Sequence, residues 1–167
     1  MKVKANLTVD DYWNYDKFII LTKPKLILKL IISLACMPIC ILALGIMLKL
    51  SIIYCIVITI IGGGIFDFVY MKLMKKKMDK NLNSKKGYIC EHNFEISEAG
   101  FYKKNNVYEK LFSWNCIKYV TEDLKNIYIF TGKAYAEIIP KASFVSKDEA
   151  KNFFKLALEN WDKNKKL

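Results

Sequence analysis

Two long apolar runs separated by one lysine constrain this chain more than any other feature. Leu30 to Leu48 is apolar apart from Ser33, Lys49 interrupts, and Leu50 to Phe66 is apolar again apart from Ser51, Tyr54 and Thr59. With flanking residues counted, each run approaches the ~20 residues a helix needs to cross a hydrocarbon core. A helix satisfies its own backbone in lipid, and a helix buried in a soluble core rarely runs this far without a polar face. The pattern predicts a transmembrane α-helical hairpin over residues 26–71, turning tightly at Lys49, in a multi-pass protein of the cell membrane. The competing pattern is a pair of buried core helices.

Charge supplies the orientation. The chain carries 27 basic residues, all lysine, against 16 acidic ones, for a net charge of +11. A charge of this size invites a nucleic-acid reading. The excess, however, sits around the hairpin: residues 1–87 carry 14 Lys and 5 acids, residues 88–167 carry 13 Lys and 11 acids. Lys17, Lys23, Lys25 and Lys29 precede the first run and Lys72, Lys75, Lys76, Lys77, Lys80, Lys85 and Lys86 follow the second, with only Lys49 between. Lysine bias of this kind places both termini in the cytoplasm and argues against nucleic acid as a partner. The expectation is membrane lipid instead. Lys72, Lys75, Lys76, Lys77 and Lys80, in a basic segment over 72–87, are candidate headgroup contacts; the same lysines also serve as plain topology signals. The first run lacks the short basic leader and small-residue cleavage site of a signal peptide.

Before the hairpin, residues 1–25 read as a weak strand over Val3 to Leu7, then a helix capped at Thr8 with Asp10 and Asp11 in its first turn. Its aromatics Tyr12, Trp13, Tyr15 and Phe18 suit either the headgroup layer or packing on the rest of the protein. Pro24 predicts a bend, and Pro38 a kink within the first span. Gly62-Gly63-Gly64 allows close backbone approach to a neighbour, including a homo-oligomer through the hairpin, or a break in the helix. Asp67 is the only acid near a span, either a functional group or an interfacial one. Cys36 and Cys40 share a helix face, as packing residues or as soft-metal ligands. The five cysteines suggest no disulfide framework in a reducing compartment.

After a linker at Asn81 to Gly87 the composition changes. Aromatic and β-branched residues alternate with charges, predicting strands over Tyr88–Ser97, Gly100–Lys104, Val107–Trp114, Ile117–Glu122, Ile127–Thr131 and Ala134–Pro140, an antiparallel meander. Ser146 and Glu149 form a capping box. Ala150, Phe153, Phe154, Ala157, Leu158 and Trp161 then recur at helical spacing, a face to be buried across an end of the sheet. Residues 88–167 thus read as an α+β domain.

The order of motifs here resembles a known family. His92-Asn93-Phe94-Glu95-Ile96-Ser97-Glu98-Ala99-Gly100-Phe101, Ser113-Trp114-Asn115-Cys116-Ile117, and Ile138-Ile139-Pro140-Lys141-Ala142-Ser143-Phe144 before a capped helix look like the YcxB-like proteins. That resemblance implies two spans followed by a cytoplasmic domain of pleckstrin-homology-like fold, a partly open barrel capped by the C-terminal helix. It covers nearly the whole chain; Ala142 stands where the family often has a basic residue. It also gives His92, Gly100, Trp114, Pro140 and Phe144 structural roles: Gly100 a turn closed to residues with a Cβ, Trp114 a core anchor, Pro140 the end of the last strand, and Phe144 a staple from strand to helix.

No catalytic constellation is visible. His92 is the only histidine, and a triad needs a nucleophile and an orienting acid beside it. A multi-histidine metal centre is excluded, and Gly62-Gly63-Gly64 is not followed by the Lys-Ser/Thr of a phosphate loop. With no arginine there is no bidentate phosphate reader. The sequence therefore predicts a non-enzymatic, cofactor-free interaction module that binds a partner protein or the inner leaflet. A small immunity or transport factor acting through the hairpin is the alternative; some bacterial proteins with similar membrane-attached domains are linked to self-protection against bacteriocins.

Overall fold

The computed structural model describes residues 1–165, the Met37 side chain excepted; the last two residues of the predicted 88–167 domain lie outside that range. The chain divides into two compact units, 1–15 with 81–167, and 16–80.

The first unit is built on seven antiparallel strands. Strand β1 (Lys2–Asn6) pairs with β2 (Glu91–Ser97), which pairs with β3 (Gly100–Lys104) and then β4 (Glu109–Phe112), a four-stranded sheet in that order. Strands β5 (Tyr119–Glu122), β6 (Asn126–Phe130) and β7 (Ala136–Pro140) form a second, three-stranded sheet. The expected meander is thus divided. Its third expected strand, Val107–Trp114, ends at Phe112, because Trp114 turns inward in a short 3₁₀ segment (Trp114–Cys116) and its indole N–H donates to the Ser97 carbonyl at 2.9 Å. A buried indole needs such a partner, and meeting it takes the chain out of the β4 edge before β5 begins.

Burial follows the strand period. In β2 the buried positions are His92, Phe94 and Ile96, every second residue. β6 is buried at all five positions because both its faces are covered. On one of them Tyr128 and Phe130 meet Tyr15, ring centroids 5.6 and 6.1 Å away. Tyr15 belongs to helix α1 (Val9–Thr22), whose start is fixed by the Asp11 carboxylate, which accepts from the Thr8 amide at 2.9 Å and the Thr8 hydroxyl at 2.7 Å. Of the two fates open to the N-terminal aromatics, Tyr12 and Tyr15 take packing on the β-domain.

Helix α4 (Lys147–Lys165) closes the core with Ala150, Phe153 and Ala157. The Glu149 amide donates to Ser146 Oγ, while the Glu149 carboxylate reaches back to the Val145 amide, one residue earlier than a standard box. Trp161 is only half-buried and donates its N–H to the Ile117 carbonyl.

The second unit holds most of α2 and α3. Helix α2 (Pro24–Met47) starts with proline at its first position, where the missing N–H costs nothing, and runs uninterrupted through Pro38. Lys49 turns the chain with φ 53°, the left-handed region costly for a residue with a Cβ. Helix α3 (Ile52–Asn83) continues beyond the expected linker start at Asn81. Both helices are long and apolar enough to cross a membrane, with only 6% and 11% of their apolar windows buried by the chain itself. They meet through small residues: a Cβ on Gly63 would lie 2.9 Å from Pro38 Cγ, and one on Gly62 3.2 Å from Ile41 Cδ1.

Candidate functional site

One polar cluster of the β-domain lies where α1 meets the linker that precedes β2. Tyr12 and Tyr88 stand with ring centroids 6.0 Å apart, and the Tyr12 hydroxyl donates to the Tyr88 carbonyl at 3.1 Å. Asn105, buried in the β3–β4 turn, accepts from the Val107 and Tyr108 amides through Oδ1 at 2.8 Å each and donates from Nδ2 to the Gly87 carbonyl at 3.0 Å. That side chain closes the turn through its own backbone neighbours and also ties the turn to the linker. The Tyr15 hydroxyl donates to the Ala134 carbonyl in the β6–β7 turn at 2.7 Å.

Between these turns lies a cavity of about 150 Å³ lined by Tyr12, Tyr88, Lys103, Tyr108, Thr131, Tyr135, Ala136 and Glu137. At its floor the Lys103 ammonium, its side chain 5% exposed, meets the Glu137 carboxylate at 2.5 Å. It also lies 5.3 Å from the Tyr108 ring centroid. Burial alone would lower the Lys103 pKa, but the Glu137 charge and hydrogen bond outweigh it and hold the ammonium above its ordinary range. A lysine kept protonated cannot act as a nucleophile. Burial, with the Glu137 charge adding, pushes the Tyr12 phenol well above its usual range.

His92 sits behind this cluster, fully buried, with Nε2 3.2 Å from the Tyr88 carbonyl and 3.5 Å from Cys90 Sγ. Its Nδ1 has no hydrogen-bond partner. Burial, with the Lys103 charge adding, lowers its pKa; the Tyr88 carbonyl and Glu137 oppose that only in part. The ring is stacked 5.7 Å from Phe94 and without solvent access.

The other motif residues lie apart from the cavity. Trp114 anchors the core as described. A Cβ on Gly100 would collide with the Phe112 carbonyl oxygen, so the glycine is required by the closeness of β4. Pro140 closes β7 opposite Asn126, and Phe144 packs edge-on against Phe153 at 5.2 Å. The larger groove beside Ala142, about 510 Å³, is lined by Lys141, whose ammonium is taken by Glu122 at 2.9 Å. The five candidate headgroup lysines all fall on the last turns of α3. Lys72, Lys75, Lys76 and Lys80 share one face by spacing, with Lys77 turned away. Lys72 Nζ lies 4.5 Å from the Phe68 ring centroid. Cys36 and Cys40 lie exposed one turn apart on α2. Among the described residues, no three His, Cys, Asp or Glu side chains converge in a way that could hold a metal ion.

Sequence reasoning singled out His92 and the aromatic Tyr12 but not Lys103, Glu137, Tyr108 or Tyr135. The one available signal was Lys103 itself, a charge in an inward-facing register position between Phe101 and Asn105. Among known proteins, residues 96–158 match the family model of the YcxB-like proteins, from the end of β2 into α4. That stretch, similar to the YcxB-like proteins as the order of its motifs implied, holds the Trp114 and Pro140 to Phe144 motifs and does not include the apolar runs. No curated protein and no solved structure matches the chain.

Proposed function

We propose that the protein is a membrane-anchored interaction module: α2 and α3 span the membrane as a hairpin, and a pleckstrin-homology-like domain faces the cytoplasm and binds there without catalysing a reaction. The observation that carries this is the placement of two long, apolar and largely unburied helices between β1 and β2, two partners in one sheet of a folded domain. Four plus three antiparallel strands followed by a C-terminal helix support the pleckstrin-homology-like part, as does the YcxB-like stretch. The lysines on both inner flanks of the hairpin, against Lys49 alone at its turn, support cytoplasmic termini. The protonated, ion-paired Lys103 and the inaccessible His92 support binding rather than catalysis.

One observation favours the alternative, in which the hairpin acts within the bilayer. Asp67 Oδ1 is buried without a hydrogen-bond partner on α3, and such groups near a span are functional suspects. Exchanging α2 and α3 for an unrelated two-span hairpin separates the two. Partners recovered from native membranes with the intact chain should also be recovered with the exchanged one; their loss on exchange would transfer the function to the hairpin.

A further inference from the structure

The exposed surface around the tyrosine cavity combines aromatic and basic side chains. Three segments meet there: the linker Ser84-Lys85-Lys86-Gly87-Tyr88, the turn Asn105-Asn106-Val107-Tyr108, and the turn Thr131-Gly132-Lys133-Ala134-Tyr135. None contains an acid. Val107, Tyr108 and Tyr135 are exposed large apolar or aromatic residues, Tyr135 at 79%. Lys85, Lys86 and Lys133 are exposed beside them. Glu109 and Glu137, the acids that flank two of these segments in sequence, are paired with Lys104 at 3.0 Å and Lys103 at 2.5 Å. Tyr12, on the helix that precedes the hairpin in sequence, touches Tyr88, on the linker that follows it.

We infer that this rim is a docking surface for the anionic face of the bilayer, with Val107, Tyr108 and Tyr135 seated at headgroup level and Lys85, Lys86 and Lys133 facing lipid phosphates. The inference rests on the anchored reading above and names what the anchored domain binds. Tyrosine is favoured at a membrane interface because its ring is apolar and its hydroxyl wet, and clustered lysines are drawn to anionic leaflets over about a Debye length. With Lys103 held by Glu137, the contact is a surface and not a pocket for one headgroup. The tether keeps the surface close to its ligand, so weak individual contacts suffice.

The test uses the full chain, free of native cysteines, in nanodiscs of phosphatidylcholine alone or mixed with phosphatidylglycerol. An environment-sensitive fluorophore is placed at Val107→Cys or Tyr135→Cys, and at Leu124→Cys as a control, because Leu124 is 98% exposed at the other end of β6. The first two probes should shift to the blue in the mixed discs only, lose the shift in high salt and in the Lys85→Gln/Lys86→Gln/Lys133→Gln variant, and leave Leu124 unchanged. Equal emission in both lipids, an equal shift at Leu124, or a shift appearing only when soluble cell extract is added would overturn the docking surface, the last in favour of a protein partner. Failure of the chain to co-float with either disc would instead remove the anchor, and docking with it.

Discussion

The β-domain and the hairpin solve the same problem, the burial of apolar side chains, in opposite ways. In the domain, Phe94, Phe101, Ile127, Ile139 and Phe153 are enclosed by the chain itself, and Trp114 and Lys103 among them find partners in the Ser97 carbonyl and Glu137. In the hairpin the apolar side chains point outward: Ile32, Ile53, Ile60 and Leu44 are all exposed, and the two helices touch through Pro38, Gly63, Gly45 and Cys55. Only the first arrangement draws its stability from water being expelled by the chain. On the membrane-anchored reading proposed above, the second has lipid as its apolar solvent, with van der Waals contact at small residues holding the pair together.

The sharpest way to break this contrast is to truncate one apolar side chain in each region. Phe153→Ala should cost about 3–5 kcal/mol in thermal unfolding of the detergent-solubilised chain, followed by the domain's aromatic dichroism. Ile53→Ala, exposed on α3, should change it by less than about 0.5 kcal/mol. Similar losses at both sites would mean that the hairpin, too, has a self-enclosed core.

The polar interior gives an effect of similar size. Glu137→Ala leaves the Lys103 ammonium buried and unpaired, at a cost of about 3–5 kcal/mol. Adding Lys103→Met should recover most of that loss. A double variant as unstable as the single one would show that the pair holds more than itself together.

Smaller effects are expected within the hairpin. Gly63→Leu overfills the contact with Pro38 and should weaken helix pairing by about 1–3 kcal/mol, read as earlier loss of helical dichroism in dodecyl sulfate. Gly64→Leu, with nothing within 4 Å of its added Cβ, should leave pairing unchanged.

The mildest effect is pH dependence. His92 binds a proton less readily in the fold than in the unfolded chain, whose histidine titrates near 6.5. Below that pH the unfolded chain takes up a proton that the folded one refuses. The contribution is therefore fully present above pH 6.5 and is lost as pH falls. His92→Phe should flatten the fall in melting temperature just below pH 6.5; an unchanged slope would mean that other groups carry it.

How much of this was legible in the sequence depended on the range of the contact. The apolar runs, the Thr8 and Ser146 helix starts, the exact bounds of β3 and the helical face of Phe153 all come from spacing within a few residues. The division into two sheets was not legible, because it turns on an indole meeting a carbonyl 17 residues away. Nor was the cavity: Lys103 and Glu137 are 34 residues apart, and Tyr15 reaches Ala134 across 119. Local pattern gives β6 as an apolar run but not what covers its second face.

The central claim, a hairpin that crosses the membrane with both ends inside, is tested most directly by labelling. In intact cells expressing a cysteine-free chain with Lys49→Cys, an impermeant thiol reagent should label the protein, and with Lys163→Cys it should label only after the membrane is opened. Labelling of Lys163→Cys in intact cells with Lys49→Cys protected would reverse the orientation, and labelling of both or neither would contradict the hairpin.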